Sequence, residues 1–544
     1  MKDMVRDDLD DFLDSEKIHK IKQKTKNVKD KGKSILFMVI FSRTVVTILL
    51  ALVQILCLFF MFYRFRNIPQ LSYVFSILGL CGLIYIVNSD DNPAFKLAWA
   101  IIICAFPVFG IALYLFVAIN PGNRGLQKKL DRRIAETENY VITEPRVQEK
   151  IDRETGGLKS LSHYISQQNH FPTYDHTKVT FYALGEEKYE DLIKDLKKAE
   201  KFIFLEYFII NDGEIWRSIV DILQERAQAG VEVRIMYDGM CGLTQLPFHY
   251  PKFLGSLGLK AKMFAPIRPI LSTSQNNRDH RKILVIDGKV AYNGGINLAD
   301  EYMNRKVRFG HWKDTAVRLE GEAVRSFTIM FLQMWNMTES GTEDYEKYLL
   351  PQGSFTEFAK EEYGYVIPYN DDPTNRLDIA QEVFLDVISR AERYVHITTP
   401  YLIPDNELIT ALCFAARRGL DVKVIMPHIP DKKIIFAISR SYYPQLLEAG
   451  VQIYEYTPGF IHAKEMIADD EKAIVGTINL DFRSLYEHFE CATYIYRNPV
   501  VHDVEADFQK TLEKCMKVDK QFCVDLPVSY KIAGQVGRLF GPLV

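Results

Sequence analysis

The sequence of 544 residues predicts an α/β protein with two pseudo-symmetric domains behind an N-terminal α-helical membrane anchor. A short motif occurs twice, with its histidines His280 and His462 lying 182 positions apart. Each copy follows a similar alternation of predicted strands and helices, which is typical of a mixed sheet flanked by helices. Three long apolar stretches before residue 120 predict the anchor.

Both copies of the motif keep the same residue types at the same offsets, and the first predicts a hairpin. The apolar run 283–286 predicts a buried strand, the Asp-Gly after it predicts a tight turn, and the run 290–292 predicts the returning strand. Alternate residues of a strand face the same side, so the histidine and lysine of each copy should project together. The shared residues are His280, Lys282, Asp287 and Asn297 in the first copy, and His462, Lys464, Asp469 and Asn479 in the second.

An imidazole, an ammonium group and a side-chain amide that converge on one point suit a phosphate oxyanion. A charged lysine supplies no lone pair, so the same set is a poor metal site, and we expect neither a metal nor another cofactor. The structural alternative for one copy is a strand with a hydrogen-bonded core histidine. Two copies with matching offsets make that alternative much weaker.

The two halves repeat the same order of elements around these motifs. In the first half, a predicted strand at 202–208 is followed by a helix that ends at residues 229–230 and a strand at 231–236. In the second half, the strand at 394–398 is followed by a helix that ends at residues 418–419 and a strand at 421–426. This order predicts domains at 171–350 and 351–544, each long enough to bury its own core.

Composition limits the possible partners. The net charge of −3 shows no strongly basic domain, which argues against a nucleic-acid partner. The eight cysteines form no CxxC pair, so the sequence predicts neither a disulfide framework nor a zinc ribbon.

The N-terminal region predicts a multi-pass membrane protein. Residues 1–34 form a charged tail, and a transmembrane region of two to three helices at 35–119 is followed by a charged linker at 120–170. The apolar stretches lie at about 35–63, 68–88 and 97–119. Lysines before the first stretch favour a cytoplasmic N-terminus, and basic residues after the third favour a cytoplasmic C-terminal domain. Three full crossings would place these two segments on opposite sides of the membrane, so one stretch is expected to be re-entrant or interfacial.

The paired His-x-Lys-x4-Asp motifs with trailing Gly-x-x-Asn resemble the double signature of the phospholipase D superfamily. Within it, the chain is most similar to the bacterial cardiolipin synthases, from about residue 70 to the C-terminus. Gly295 and Thr477 occupy positions where the superfamily often has serine. The further stretches that carry the resemblance are 205–208, 300–302, 312–314, 399–401, 447–450, 479–484 and 538–540.

The resemblance implies roles for the site residues. His280 would be the nucleophile and His462 the general acid and base, with Lys282, Lys464, Asp287 and Asp469 completing the catalytic set. Within that set, Asp287 and Asp469 look more like fixtures of the turn and the interface. Asn297 and Asn479 would bind the substrate phosphate. Asp314 would orient His280, and Glu490 would orient His462.

The resemblance also implies the reaction, which is phosphatidyl transfer between two phosphatidylglycerol molecules through a phosphatidyl-histidine intermediate, giving cardiolipin and glycerol. The enzyme would be embedded in the bacterial plasma membrane with a cytoplasmic catalytic domain; its oligomeric state stays open. Alternatives are another phosphatidyltransferase or phospholipid hydrolase of the same chemistry, cleavage of a nucleic-acid phosphodiester, and a non-catalytic membrane scaffold.

Overall fold

The computed structural model describes residues 69–106, 121–154, 157–267, 276–355, 363–374 and 377–543, with isolated positions in 52–64 and 110–115 and at 358. The charged tail and the first apolar stretch therefore lie outside the described residues, apart from those isolated positions.

Two mixed β-sheets form the centre of the protein. The strands of the first half are β1 (Thr177–Tyr182), β2 (Phe202–Tyr207), β3 (Glu232–Asp238), β4 (Lys260–Phe264), β5 (Lys282–Ile286), β6 (Val290–Gly294), β7 (His311–Lys313) and β8 (Ala316–Gly321). Those of the second half are β9 (Tyr365–Asp371), β10 (Tyr394–Thr398), β11 (Leu402–Ile403), β12 (Asp421–Pro427), β13 (Gln452–Tyr456), β14 (Gly459–Ile461), β15 (Glu465–Ala468), β16 (Lys472–Gly476), β17 (Leu480–Asp481), β18 (Glu490–Tyr496) and β19 (Cys515–Val518).

The two sheets share one strand order, which confirms the predicted mixed sheets and the internal duplication. The first runs β1-β8-β6-β5-β2-β3-β4, and the second runs β9-β18-β16-β15-β10-β12-β13 with β19 added at its edge. Strands β2, β3 and β4 of the first sheet are parallel, as are β10, β12 and β13 of the second. In each sheet the first strand of the motif hairpin pairs antiparallel with the first strand of this group, β5 with β2 and β15 with β10. The motif hairpins are β5–β6 and β15–β16.

Helices cover these sheets and connect their strands. They are α1 (Pro69–Val87), α2 (Pro93–Ala105), α3 (Pro121–Thr137), α4 (Pro145–Arg153), α5 (Leu158–Gln168), α6 (Gly185–Lys198), α7 (Glu214–Gln228), α8 (Cys241–Thr244), α9 (Tyr250–Ser256), α10 (Val324–Asn336), α11 (Ile379–Arg390), α12 (Asn406–Arg417), α13 (Lys433–Ser441), α14 (Tyr443–Ala449), α15 (Val500–Leu512), α16 (Lys520–Asp525) and α17 (Val528–Phe540). The predicted helix ends near residues 230 and 419 are confirmed by α7 and α12.

The N-terminal helices differ in their surroundings. α1 leaves several large apolar side chains exposed, among them Tyr73, Ile77, Leu80 and Ile84. α2 packs on the second half, where the ring of Phe95 lies 5.7 Å from that of Phe482. Over the part of the chain that the structure describes, no helix has both the length and the apolarity needed to cross a bilayer.

The predicted linker contributes to the core. α3, α4 and α5 occupy most of it, and their buried side chains, such as Leu130, Ile151 and Ile165, join the main hydrophobic cluster. The sequence predicted a charged linker here and not this packing.

Both motif hairpins turn at an aspartate that binds the start of a neighbouring strand. The carboxylate of Asp287 accepts backbone N–H bonds from Glu200, Lys201 and Phe202 at 2.7–2.8 Å. Asp287 and Gly288 both have positive φ (53° and 68°), as the predicted tight turn requires.

Asp469 repeats this arrangement in the second half, accepting N–H bonds from Glu392, Arg393 and Tyr394. Each aspartate lies five residues beyond its motif lysine, about 16 Å along an extended strand. The carboxylates of Asp287 and Asp469 are thus used by backbone groups at the far end of each hairpin, which fits the predicted role in the turn. Their membership of the catalytic set stays a prediction.

Replacing Asp287 with alanine should destabilise the protein without removing its chemistry. Three buried or half-buried N–H groups would lose their acceptor, so we expect the free energy of unfolding to fall by about 3 kcal/mol. Asp469→Ala should cost less, because two of its donors lie near water. Denaturant unfolding measures both effects. An Asp287→Ala protein with unchanged stability but no activity per folded molecule would support the catalytic role.

Candidate active site

The two motif histidines open into one cavity of about 780 Å³ between the halves. Asn297 and Asn479 also line this cavity. Aromatic side chains form much of the wall: Phe208 lies 4.8 Å from the ring of His280, and Tyr302 lies 5.6 Å from that of His462. These walls limit water around both imidazoles.

Short backbone pairings between the halves place each histidine. The N–H of His280 donates to the carbonyl of Phe489 at 2.9 Å, and the N–H of His462 donates to the carbonyl of Lys313 at 2.7 Å. The second contact extends a parallel ladder between β7 and β14. Each accepting residue is followed directly by a carboxylate, Glu490 or Asp314.

The carboxylates consequently serve the histidine of the opposite half. Nδ1 of His280 lies 2.8 Å from Oε1 of Glu490, and Nδ1 of His462 lies 2.7 Å from Oδ2 of Asp314. The expected pairing of Asp314 with His280 and Glu490 with His462 is thus wrong. The reason is the crossed backbone pairing, which leaves no trace in the spacing of either motif.

The crossed bonds also set the tautomer of each imidazole. An ionised carboxylate only accepts, so Nδ1 carries the proton and Nε2 keeps its lone pair. Burial raises the pKa of Asp314 to about 6, against the neighbouring charge of Lys464. Burial likewise raises the pKa of Glu490, against Lys282.

The two carboxylates are held differently at the two non-serine positions, Thr477 and Gly295. The hydroxyl of Thr477 donates to Oε2 of Glu490. At the matching position, a Cβ on Gly295 would lie 2.1 Å from Oδ1 of Asp314, so a side chain there would displace that carboxylate. Asp314 instead accepts the N–H of Thr315 at 2.9 Å.

Buried lysines surround the histidines with positive charge. The ammonium groups of Lys282 and Lys464 donate to the carbonyls of His280 and His462, respectively, and lie behind the cavity wall. Burial lowers the pKa of Lys282 to about 8 and that of Lys464 to about 7. Burial first, and these lysines second, lower the pKa of both histidines well below the usual range, so both imidazoles are neutral near pH 7.

The asparagines face the cavity with part of their amide already used. Asn297 donates to the hydroxyl of Tyr302 at 2.9 Å and accepts the N–H of Ile209 at 2.9 Å. Asn479 donates to the hydroxyl of Ser484 at 3.1 Å. Each amide retains a second N–H for a ligand.

Sequence reasoning missed two cavity residues, Lys432 and His488. Lys432 adds to the positive field at both histidines. His488 lies beside His280, with 5.6 Å between ring centroids. Neither residue belongs to a repeated motif; the only sequence signal for His488 is its position two residues before Glu490.

A family model described as "Cardiolipin synthase, PLD-like domain" matches residues 192–335 and 384–512. A second, described as "Phospholipase_D-nuclease N-terminal", matches residues 74–118. The solved phosphatidylserine synthase of Haemophilus influenzae aligns with a TM-score of 0.50 at 14% identity, over 67% of this chain and 93% of that one. That likeness shows a shared fold, and the family model gives its class as phospholipase D-like.

The curated relatives show to which family within this class the chain belongs. A cardiolipin synthase of Alkalihalophilus pseudofirmus is 35% identical over 88% of this chain and 94% of its own length. One from a Geobacillus species is 35% identical over 86% of this chain and 93% of its own length. An uncharacterised protein of Streptococcus mutans is 49% identical over 85% of this chain. The chain belongs to the cardiolipin synthase family, whose members carry phospholipase D-like domains.

The crossed pairing predicts which hydrogen bond each carboxylate substitution removes. Glu490→Gln should abolish the low-field NMR signal of the Nδ1 proton of His280 and retain that of His462, and Asp314→Asn should do the reverse. Each should lower kcat by about 10² to 10⁴, since an amide can stabilise the wrong tautomer. His280→Asn and His462→Asn assign the two signals. Loss of the His462 signal in Glu490→Gln would contradict the crossing.

Proposed function

We propose that this phosphatidyltransferase moves a phosphatidyl group from one phosphatidylglycerol to the terminal hydroxyl of another, releasing glycerol and forming cardiolipin. The observation that carries the proposal is the pair of neutral imidazoles, each bound to a carboxylate through Nδ1, at one cavity with Lys282 and Lys464 buried behind its wall. The choice of lipid product is supported by the curated relatives that are named cardiolipin synthases.

In the first step, Nε2 of His280 attacks phosphorus and a P–N bond forms as the bond from phosphorus to the glycerol oxygen breaks. His462 gives its proton to the departing oxygen. The free site keeps His462 neutral, so the entering phosphodiester must favour the protonated form: its negative charge offsets the field of Lys282 and Lys464. The same lysines stabilise the charge on the phosphoryl oxygens.

In the second step, the two histidines reverse this sequence. The terminal hydroxyl of a second phosphatidylglycerol gives its proton to Nε2 of His462 and attacks phosphorus. A P–O bond forms and the P–N bond to His280 breaks, which returns both groups to their starting states. Two imidazoles are needed because one cannot hold the phosphoryl group and the proton at the same time.

We further propose a location in the bacterial plasma membrane, through several passes, with the catalytic domains at 171–350 and 351–544 in the cytoplasm. The exposed apolar side chains of α1 support contact with lipid. Phospholipid is then the partner on both sides of the reaction.

The reaction itself is tested with the full-length protein in nanodiscs that contain phosphatidylglycerol. Cardiolipin and glycerol should appear in equal amounts, and His280→Ala and His462→Ala should each abolish both. If either variant keeps more than about a tenth of the rate, equivalent to 1.4 kcal/mol of barrier, the two-histidine mechanism is wrong. Phosphatidic acid as the main product would identify a hydrolase instead.

The intermediate should be trapped when its second step is blocked. A His462→Asn variant given a phosphatidyl lipid with an activated leaving group needs no acid for the first step and lacks the base for the second. We expect an acid-labile, alkali-stable phosphatidyl adduct that maps to His280 by mass spectrometry. An adduct on His462 in the reciprocal His280→Asn variant, with none here, would reverse the roles. No adduct in either variant would favour direct displacement.

A further inference from the structure

His488 is a third imidazole in the catalytic cavity, and no reaction step uses it. It follows a π-helical turn at Arg483–Glu487, and its side chain is 10% exposed. Both ring nitrogens are buried, and neither has a hydrogen-bond partner in the described parts of the chain. A buried polar group without a partner costs free energy, so this imidazole is poised for a ligand.

Glu490 lies between this imidazole and that of His280. Its Oε1 atom is 2.8 Å from Nδ1 of His280 and 3.9 Å from Nδ1 of His488. Among the described residues, these three form a group whose ligand atoms all lie within 4.8 Å of one another. In a tetrahedral zinc site with bonds of about 2.1 Å, donor atoms are about 3.4 Å apart. Small rotations of the three side chains would bring the donor atoms from their present separations to this distance.

The chemistry of the donor set selects the kind of ion. Two imidazoles and one carboxylate are the protein ligands of many zinc sites that keep a fourth position open. Here the fourth position would face the cavity. Imidazole-rich sites favour Zn²⁺ and similar transition ions over Mg²⁺ and Ca²⁺, which prefer oxygen donors.

We propose that His280, His488 and Glu490 form an inhibitory site for a divalent transition metal, with Zn²⁺ as the best fit. The metal is an inhibitor and not a cofactor, because it removes the nucleophile. A metal on Nδ1 of His280 takes the lone pair there, and the proton that Nδ1 held moves to Nε2. The Nε2 lone pair is thereby lost, and His280 can no longer attack phosphorus.

The site makes the enzyme sensitive to metal without requiring metal for activity. A chelator should leave the rate unchanged or raise it, and micromolar to millimolar Mg²⁺ should not mimic Zn²⁺. Inhibition as a readout rests on the proposed role of His280, whereas metal binding does not. The experiment therefore measures both.

Binding is measured with the chelator-treated full-length protein in nanodiscs, titrated with Co²⁺ as a spectroscopic substitute for Zn²⁺. Wild type should develop the intense visible bands of tetrahedral Co²⁺, and His488→Asn should not. Inhibition is measured by titrating Zn²⁺ and expressing each rate relative to that variant's own rate in chelator. The half-inhibitory concentration should rise at least about tenfold in His488→Asn. His428→Asn is the matched control, since that imidazole binds Glu455 outside the cavity.

Several results would overturn the proposal. If wild type shows no Co²⁺ bands, or if His488→Asn keeps them, then His280, His488 and Glu490 do not form the proposed metal site. Equal sensitivity of wild type and His488→Asn to Zn²⁺ would place any inhibition elsewhere. Because the Co²⁺ bands do not depend on turnover, a protein that binds Co²⁺ but makes no cardiolipin would refute the proposed function and keep the metal site.

Discussion

The crossed hydrogen bonds between the halves are the constraint on which the site depends. The backbone of His280 is fixed by Phe489, that of His462 by Lys313, and the residue after each acceptor supplies the carboxylate. One pairing thus fixes the position, the tautomer and the basicity of an imidazole together. Both histidines placed in this way line the same cavity.

Burial gives these pairings their chemical effect. Six ionisable groups of the site, two histidines, two lysines, Asp314 and Glu490, are almost completely removed from water. Such burial is unfavourable for each charge alone, yet the carboxylates and ammonium groups offset one another. Lys432 adds a positive charge at the cavity beyond these balanced groups, and the negative charge of a phosphodiester would compensate it. The free site is therefore electrostatically incomplete, and the substrate completes it.

The sequence predicted the elements whose signals are local. The Asp-Gly turn, the apolar runs on either side and the repeat of His280 in His462 were sufficient for the hairpins and for the duplicated sheets. The carboxylate partners depend on contacts between residues about 150 to 210 positions apart, and a motif offset contains no such information. His488 was missed for a different reason: one histidine outside any repeat looks like an ordinary core residue. Asp287 belongs to the same motif as His280, and the motif alone cannot separate a role in folding from one in catalysis.

The crossed pairing of histidines and carboxylates has a consequence for how the two copies evolve. A half expressed alone would carry a histidine with no carboxylate and a carboxylate with no histidine, whichever half it is. Duplication and fusion of an ancestral single unit would therefore have preserved activity only if the two copies continued to change together. Selection on Glu490 acts through His280, which lies in the other copy. Substitutions around these two positions should therefore be correlated between the copies, and less so between a motif and the carboxylate of the same copy.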